Sequence, residues 1–246
     1  MELLKTEQVH AILGPLTSLQ ANFLIHLGEE AHVPILSFSA TSPSLSSLRS
    51  PYFFRAALND SSQVQPITAI IQAFGWKEVV PIYTENEYGE GLIPFLTDTF
   101  QENEIRVLYK STIRPVASDE EIVAALYKLM TMLTRVFLVH MTCSLSARLF
   151  TKANEIGMMS EGYVWIITDG ITNSFNFFDP SIIIDSMQGA IGVQPHVPKS
   201  KKLEDFISRW KNKTPHEKIT SDLNVFGLWA YDAATAWQWL LRKLAR

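Results

Sequence analysis

Residues 33–43 read VPILSFSATSP, an apolar run followed at once by hydroxyl-bearing and small side chains. The apolar part is typical of a buried strand, and the polar part follows its carboxyl end. In a parallel α/β sheet, ligands bind outside the carboxyl ends of the strands. The hydroxyls could donate to and accept from a small polar ligand, and the stretch contains no nucleophile–base pair. It therefore predicts a binding pocket rather than a catalytic site.

Strand-like and helix-like segments alternate on both sides of this stretch. Before it, a short apolar run at residues 9–13 ends at Gly14-Pro15, and Thr17 or Ser18 can cap the helix that follows. This order of strand, helix and strand predicts a βαβ unit with parallel strands. The further predicted strands are residues 78–83, 105–111, 135–139, 163–167 and 187–193, and the further predicted helices are residues 61–74, 92–102, 119–133, 146–156, 203–211 and 222–244.

The repeated alternation predicts the α/β fold class, with open, mostly parallel sheets and helices on both faces. Pro81 lies inside the predicted strand 78–83. Because proline has no N–H for a β-ladder, it predicts an edge position or a local irregularity. Polar residues 84–91 predict a loop before the next helix, and Gly28 weakens the last turns of the first helix.

The composition excludes several classes of protein. At 246 residues, 47% apolar and 19% charged, the chain fits a soluble globular protein of one large domain or two lobes. A net charge of −4 provides no basic patch for nucleic acid. No apolar run approaches the roughly 20 residues that span a bilayer, so we expect no membrane segment in this chain. The charged start also lacks the apolar core of a secretory signal.

The cysteine and histidine content argues against a metal or cofactor. Cys143 is the single cysteine, so an internal disulfide or a cysteine-based zinc cluster is not possible. We interpret it as a small buried residue that follows strand 135–139. No histidine pair has the spacing of an H-E-x-x-H site, and glycine-rich phosphate loops are absent from the sequence. Asn59 and Asn212 begin N-x-[ST] triplets and are candidates for glycosylation, which would indicate a secreted origin.

Short motifs occur in a fixed order along essentially the whole chain. They are AILGP (residues 11–15), SFSATSP (37–43), SPYFFR (50–55), FGWKEVV (74–80), YG (88–89), KLMTM (128–132), RVF (135–137), GYVWI (162–166) and TDG (168–170). Together they resemble the amino-terminal, periplasmic-binding-protein-like (ANF-receptor) domain of plant glutamate receptor-like channels. Each motif is unspecific alone, whereas the ordered set is specific.

The resemblance implies a two-lobed clamshell of the type I periplasmic-binding-protein-like fold. Residues 1–75 and about 197–246 would form one lobe, residues 76–196 the other, and a ligand would lie in the cleft between them. The family domain opens with a strand, a helix and a second strand that we do not find here. We therefore expect lobe one to be incomplete and strand 9–13 to have an unpaired edge. The family's signal peptide, gating domain and pore helices are not found in this chain either.

Three candidate ligand-binding positions lie within the opening stretch, and Ser18 is a fourth. Ser18 lies near a predicted helix N-terminus, where N–H groups and the helix dipole favour the carboxylate of an amino acid. Its alternative role is that of a simple N-cap. The resemblance aligns Ser39, Ala40 and Thr41 with the stretch that holds an amino-acid backbone in related clamshell receptors. The alternative is a turn that satisfies its own backbone.

The resemblance also implies ligand-binding roles for Asp60, Tyr88 and Asp169. An acid could balance a ligand ammonium group, and Tyr88 could pack over that group as a cation–π partner. Asp60 is equally explained as a helix N-cap, and Asp169 as a turn residue after a strand. For Arg55, which follows an aromatic run, we favour a structural ion pair or stacking contact.

The leading hypothesis is a ligand-binding or regulatory fragment of a glutamate receptor-like, ligand-gated cation channel. By the resemblance it would lie on the extracellular face of a plasma membrane, bind a small amino acid or peptide without a cofactor, and associate with other receptor subunits. One alternative is a structural ectodomain that mediates subunit assembly without a ligand, and another is a non-functional truncated gene product. An α/β enzyme that uses Asp60 and Asp169 would need both carboxylates to converge on a substrate.

Overall fold

The computed structural model describes residues 9–48, 50–213 and 223–244. The strands are β1 (Ile12–Leu13), β2 (Ile35–Ser37), β3 (Phe53–Arg55), β4 (Val80–Thr84), β5 (Ser111–Ile113), β6 (Val136–His140), β7 (Val164–Ile167) and β8 (Ile191–Gly192). The α-helices are α1 (Ser18–Ala31), α2 (Val64–Ala73), α3 (Glu87–Glu102), α4 (Asp119–Met130), α5 (Cys143–Glu155), α6 (Asp169–Thr172), α7 (Pro180–Ser186), α8 (Lys201–Lys213) and α9 (Val225–Leu244). Short 3₁₀ helices cover Pro43–Leu48, Asp60–Gln63 and Phe175–Phe177.

The chain divides into two compact units. Unit 1 is Met1–Asp60 together with Leu223–Arg246, and unit 2 is Ser61–Asp222. Each unit contains one sheet, and the strand pairs in both sheets are parallel. The predicted α/β class with parallel sheets is therefore confirmed. The lobe bounds near residues 75 and 197 stay a prediction.

Unit 1 contains a three-stranded sheet in the order β1-β2-β3. Helix α1 crosses from β1 to β2, as the βαβ pattern predicted. It packs Ala21 and Ile25 into a small core with Ala40 and Leu45, which Phe53 covers from one side. Among the described residues β1 pairs with β2 alone, so it lies at an edge of this sheet.

Helix α1 has clear signals at its start and near its end. The Thr17 hydroxyl accepts from the Gln20 N–H at 3.2 Å, and the Gln20 side chain accepts from the Thr17 N–H at 3.3 Å. This capping box makes Thr17, not Ser18, the N-cap. Gly28 lies inside the helix, at a position that packs closely against β2. A side chain does not fit there, because a Cβ would lie 2.7 Å from Ile35 Cδ1.

Unit 2 contains a five-stranded sheet in the order β5-β4-β6-β7-β8. Successive strand residues face opposite sides, and both sides are covered by helices. On one side Ile82, Phe137 and Trp165 pack against residues of α4 and α5. On the other side Leu138 and Ile166 pack against residues of α2 and α3. The central strands β4, β6 and β7 are largely apolar because both of their faces are buried.

Pro81 lies in a central strand, so the predicted edge position is wrong. Strand β4 pairs with β5 on one side and with β6 on the other. Glu78, just before β4, pairs with Arg106, and Ile82 pairs with Ser111. Four residue steps on the β4 side therefore match five residue steps on the β5 side. This extra residue is a bulge, and Pro81 lies opposite it, where a ladder N–H is not required. The local irregularity that was the alternative prediction is therefore present, and β5 begins at Ser111 rather than at residue 105.

Several predicted element bounds also differ from the structure. Helix α3 begins at Glu87, so the predicted loop over residues 84–91 is too long. The Asn86 side chain accepts from the Gly89 N–H at 3.0 Å and so caps the helix early. Leu133 is 98% exposed and lies beyond α4, so it does not belong to that helix's apolar face. The predicted start of the last helix at residue 222 lies outside the described residues.

Candidate functional site

The hydroxyl-rich stretch after β2 is bonded largely to nearby backbone. The Ser37 hydroxyl donates to Pro15 O at 3.1 Å and accepts from the Ala40 N–H at 3.1 Å. The Ser39 hydroxyl donates to Leu16 O at 2.8 Å. Ala40 is fully buried. Of these contacts the Ser37–Ala40 bond lies within the turn, and the others join the turn to the backbone after β1. A ligand role for Ser39, Ala40 and Thr41 stays a prediction.

Ser18 and Asp60 both contact the same stretch. The Ser18 hydroxyl, buried at the first residue of α1, accepts from the Ser42 N–H at 3.2 Å. The Asp60 N–H donates to Thr41 O at 3.0 Å, and the Asp60 side chain is buried. Unit 1 thus brings together the five unit-1 positions predicted from the sequence.

Asp60 does not cap helix α2, so that interpretation was wrong. Asp60 is the first residue of a 3₁₀ helix, and α2 begins four residues later at Val64. Its N-cap residue is Gln63, whose side chain makes no capping hydrogen bond.

Arg55 ties the hydroxyl-rich stretch to the end of β3. Its Nη1 donates to Ser42 O at 2.8 Å and its Nη2 donates to the Ser46 hydroxyl at 2.6 Å. Burial lowers the pKa of Arg55, and the charge of Asp60 opposes that shift. Arg55 therefore has a structural role, through hydrogen bonds rather than the stacking contact that was one of the predicted forms.

In unit 2, Tyr88 and Asp169 meet at the carboxyl end of the sheet. Tyr88 is the second residue of α3, which follows β4, and Asp169 begins α6 directly after β7 and Thr168. The Tyr88 hydroxyl lies against Gly170, where a Cβ would be only 2.3 Å from Tyr88 Oη. The structure therefore places the aromatic side chain beside the residue that follows the carboxylate.

Asp169 is held by Gln63, a residue that sequence reasoning missed. The Gln63 amide Nε2 donates to Asp169 Oδ1 at 2.9 Å, and Gln63 Oε1 accepts from the Asp169 N–H at 2.8 Å. Both side chains are buried. Burial raises the pKa of Asp169 to about 6, although the Gln63 and Gly170 hydrogen bonds act in the opposite direction. A buried carboxylate of this kind gains stability when a cation binds beside it.

His140 was also missed as a functional candidate. It is the last residue of β6, and its ring lies 4.3 Å from the Tyr88 ring, centroid to centroid. Its Nε2 lies 3.2 Å from Tyr88 O and its Nδ1 lies 3.0 Å from Thr168 Oγ1. Burial lowers the pKa of His140 to about 4, so the ring is neutral at pH 7. The signal in the sequence was a polar residue at the end of an apolar strand.

The polar groups at this end of the unit 2 sheet form one connected set. Four separate segments of the chain contribute to it, and ring contacts and hydrogen bonds link them: Gln63, Tyr88, His140 and the consecutive residues Thr168 and Asp169. An aromatic face beside a carboxylate suits an ammonium group. Within the described ranges no group of three or more His, Cys, Asp or Glu residues is placed to hold a metal ion.

A comparison with known protein families identifies the family to which this chain belongs. The pattern of the "Receptor family ligand binding region" matches residues 1–237, which is nearly the whole sequence. The chain belongs to this family. The family implies the periplasmic-binding-protein-like fold, which agrees with the parallel α/β sheets of both units.

The receptor ligand-binding region is also similar to several curated plant proteins. It is 52% identical to glutamate receptor 2.2 of Arabidopsis thaliana over 96% of this chain and 25% of that protein. It is 52% identical to glutamate receptor 2.3 over 96% of this chain and 26% of that protein, and 54% identical to glutamate receptor 2.5 over 95% and 25%. The chain therefore spans about a quarter of the length of these relatives. The resemblance seen in the sequence motifs is confirmed.

These relatives are named as receptors, not enzymes. The α/β enzyme that would use Asp60 and Asp169 is therefore excluded, and the prediction of a non-enzymatic protein is confirmed. No helix in the described part of this ligand-binding region is both long enough and apolar enough to cross a membrane.

Cys143 and the two glycosylation candidates were also singled out in the sequence. Cys143 begins α5, and its thiol contacts Ser174 O at 3.7 Å. Partial burial raises the pKa of the thiol to about 11, which disfavours a reactive thiolate. The Asn59 amide donates to the Ser46 hydroxyl at 3.4 Å, whereas Asn212 is exposed on α8. Thr214, which completes the second triplet, lies outside the described residues.

Proposed function

We propose that this chain is part of the amino-terminal, extracellular ligand-binding region of a glutamate receptor-like, ligand-gated cation channel, and that it binds a small amino acid or peptide. The observation that carries the proposal is the contact between Tyr88 and the Asp169–Gly170 segment, in a chain about half identical to plant glutamate receptors. The Asp169 carboxylate would balance the ligand ammonium group, and the Tyr88 ring would pack over it.

The candidate residues of unit 1, taken by themselves, also offer groups that suit an amino acid. Ser18 lies at the start of α1, where N–H groups and the helix dipole favour an anion. Ser39, Ala40 and Thr41 offer hydroxyl and backbone groups at the end of β2, and Asp60 is bonded to Thr41. The start of α1 suits an α-carboxylate, and the groups at the end of β2 together with Asp60 suit an ammonium group. This combination supports the proposal that the ligand is an amino acid or the terminus of a peptide.

Calorimetric titration of the 246-residue chain with the twenty proteinogenic L-amino acids, L-glutamate first, tests the proposal. We expect saturable binding of at least one of them. Asp169→Asn removes the charge but keeps the size, and is expected to weaken binding by about tenfold or more. Asp185→Asn, at an exposed carboxylate of unit 2, is the matched control and should bind like the wild type. A flat titration across the panel would overturn the amino-acid assignment.

A second candidate function, subunit assembly without a ligand, is favoured by one observation. Leu16, Leu19 and Phe23 are 66%, 61% and 70% exposed at the start of α1. Leu19 and Phe23 are four residues apart and so share one helix face. An exposed apolar face of this kind is typical of an interaction surface.

Sedimentation velocity tests the assembly function. Phe23→Glu is expected to shift an oligomer toward monomer, because it places a charge in the contact. Leu133→Glu, at a leucine that is 98% exposed in unit 2, is the control and should leave the distribution unchanged. A wild-type chain that stays monomeric at all concentrations would contradict this function.

A further inference from the structure

We infer that His140 and Gly170 are positioning residues for Tyr88: His140 holds the Tyr88 ring and backbone from the strand β6 side, and Gly170 provides the space in which the Tyr88 hydroxyl lies. This inference rests on the proposed function, in which Tyr88 contacts the ligand. Neither residue needs to touch the ligand itself. Both act by fixing where the aromatic ring is presented.

The hydrogen bonds of His140 define its tautomer. Its Nε2 faces the carbonyl oxygen of Tyr88 at 3.2 Å, and a carbonyl can only accept. A neutral imidazole must therefore carry its proton on Nε2 and donate it to Tyr88 O. Its Nδ1 then accepts from the Thr168 hydroxyl at 3.0 Å. The ring is thus held at both nitrogens, 4.3 Å from the Tyr88 ring and tilted by 40°.

The lack of a side chain at residue 170 fixes the other end of Tyr88. A Cβ at Gly170 would lie 2.3 Å from Tyr88 Oη but 3.5 Å from Tyr88 Cζ. The first distance is far inside van der Waals contact, and the second is an ordinary contact. Because Oη is the far end of a side chain, an alanine at this position would displace Tyr88 rather than the backbone of α6. The clash depends on a single atom, the tyrosine hydroxyl oxygen.

This dependence allows a double-mutant cycle. Gly170→Ala is compared in the wild-type background and in the Tyr88→Phe background, where the clashing oxygen is absent and the ring remains. The readout is the ¹H–¹³C resonances of the His140 ring, which lies within the ring current of residue 88. We expect Gly170→Ala to move these resonances in the wild-type background and to leave them unchanged in the Tyr88→Phe background. Equal shifts in both backgrounds, or none in either, would overturn the role of Gly170.

The role of His140 is tested with His140→Phe, which keeps an aromatic ring and removes both hydrogen bonds. We expect the ring resonances of Tyr88, assigned with the aid of Tyr88→Phe in ¹³C-tyrosine-labelled protein, to shift. His196→Phe, at an exposed histidine, is the matched control and should leave them in place. Tyr88 resonances that do not respond to His140→Phe would overturn the role of His140. Should this variant fail to fold, Thr168→Val, which removes only the hydrogen bond to Nδ1, is read in the same way.

Binding of L-glutamate, or of another amino acid in the panel that binds, shows whether the position of Tyr88 matters to the ligand. Gly170→Ala is expected to weaken binding by about 3- to 30-fold, the range of one cation–π contact. In the Tyr88→Phe background it should have no further effect. Unchanged affinity despite a displaced Tyr88 would overturn the inference. Absence of binding by the wild type would overturn the proposed function instead, and the resonance measurements would still decide whether His140 and Gly170 position Tyr88.

Discussion

Asp169 is a buried carboxylic acid with a pKa of about 6, well above its ordinary value of 3.8. Burial raises this pKa because the charged form loses its hydration. Gln63 compensates in part by donating to Asp169 Oδ1. Asp169 is therefore mostly ionised at pH 7, although its buried environment disfavours the charged form. This is typical of functional sites, where a ligand of opposite charge restores the balance.

The raised pKa predicts how stability depends on pH. Well below pH 3.8 the acid is protonated in both the folded and the unfolded chain, and its contribution is fully present. Between 3.8 and about 6 the unfolded chain loses its proton first, so stability falls as the pH rises through this window. By pH 7 the loss is on the order of 3 kcal/mol.

Asp169→Asn should remove this loss, because the amide has the same shape and does not ionise. We expect the variant to be more stable than the wild type at pH 7 by about 1–3 kcal/mol, and the difference to disappear as the pH falls well below 3.8. Urea unfolding at several pH values from below 3.8 up to neutral pH measures both quantities. An unchanged pH dependence would contradict the assignment to Asp169.

Thr168 carries a prediction of its own, because its buried hydroxyl donates to His140 Nδ1. Thr168→Val leaves that nitrogen buried without its donor, and we expect a loss of about 1–3 kcal/mol. Thr168→Ser keeps the hydroxyl and removes one methyl group, for a loss of about 1 kcal/mol. Chemical unfolding at pH 7.5, where His140 is neutral in both states, compares them. A valine variant as stable as the serine variant would argue against this hydrogen bond.

Helices α1, α3 and α4 each begin after a residue whose side chain caps the first turn. Ser118 caps α4 through a capping box: its hydroxyl accepts from the Glu121 N–H at 3.3 Å, and Glu121 Oε2 accepts from the Ser118 N–H at 2.8 Å. Thr142 is the N-cap residue of α5 but makes no side-chain capping bond. Both residues are exposed, so they form a matched pair.

Ser118→Ala is expected to lower the free energy of unfolding by about 1 kcal/mol, because one N–H of the first turn loses its acceptor. Thr142→Ala should change it by less than about 0.5 kcal/mol. Thermal unfolding followed by circular dichroism measures the difference. The explanation fails if the two substitutions have the same effect.

The elements that the sequence located well are those with local signals. Helix α4 begins at Asp119 as predicted, because Ser118 and Glu121 form the start signal within four residues. Strand β6 lies within one residue of its predicted bounds, because all five of its residues are buried. Strand β5 and the position of Pro81 were missed because the bulge between residues 106 and 111 depends on a neighbouring strand.

The two units differ in the size of their apolar cores. Unit 2 has two clusters of buried residues, one on each face of its sheet, which include Phe100, Phe137 and Phe150. Among the described residues of unit 1, the buried cluster contains Ala21, Ile25, Ala40 and Leu45. Burial of apolar surface is the main stabilising contribution to folding, so unit 2 should hold its structure more firmly.

Hydrogen exchange followed by mass spectrometry should show this difference. We expect amides of β4 and β6, which are central in the unit 2 sheet, to exchange at least about tenfold more slowly than those of β1 and β2. Helix α1 should follow the unit 1 strands, because its buried residues belong to the smaller core. Equal protection in the two sheets would contradict the prediction.

The sequence by itself determined the parallel α/β class, the family and the order of most elements, because periodicity, capping residues and short motifs act over a few residues. It did not predict β3, α6 or α7. It also indicated seven candidate ligand-binding positions. Only the tertiary structure decided which polar groups meet. Gln63 reaches Asp169 across 106 positions of sequence, and His140 reaches Tyr88 across 52. Such pairs depend on how parallel strands align and on which strand ends lie at the same edge of the sheet. Local sequence patterns do not predict either of these.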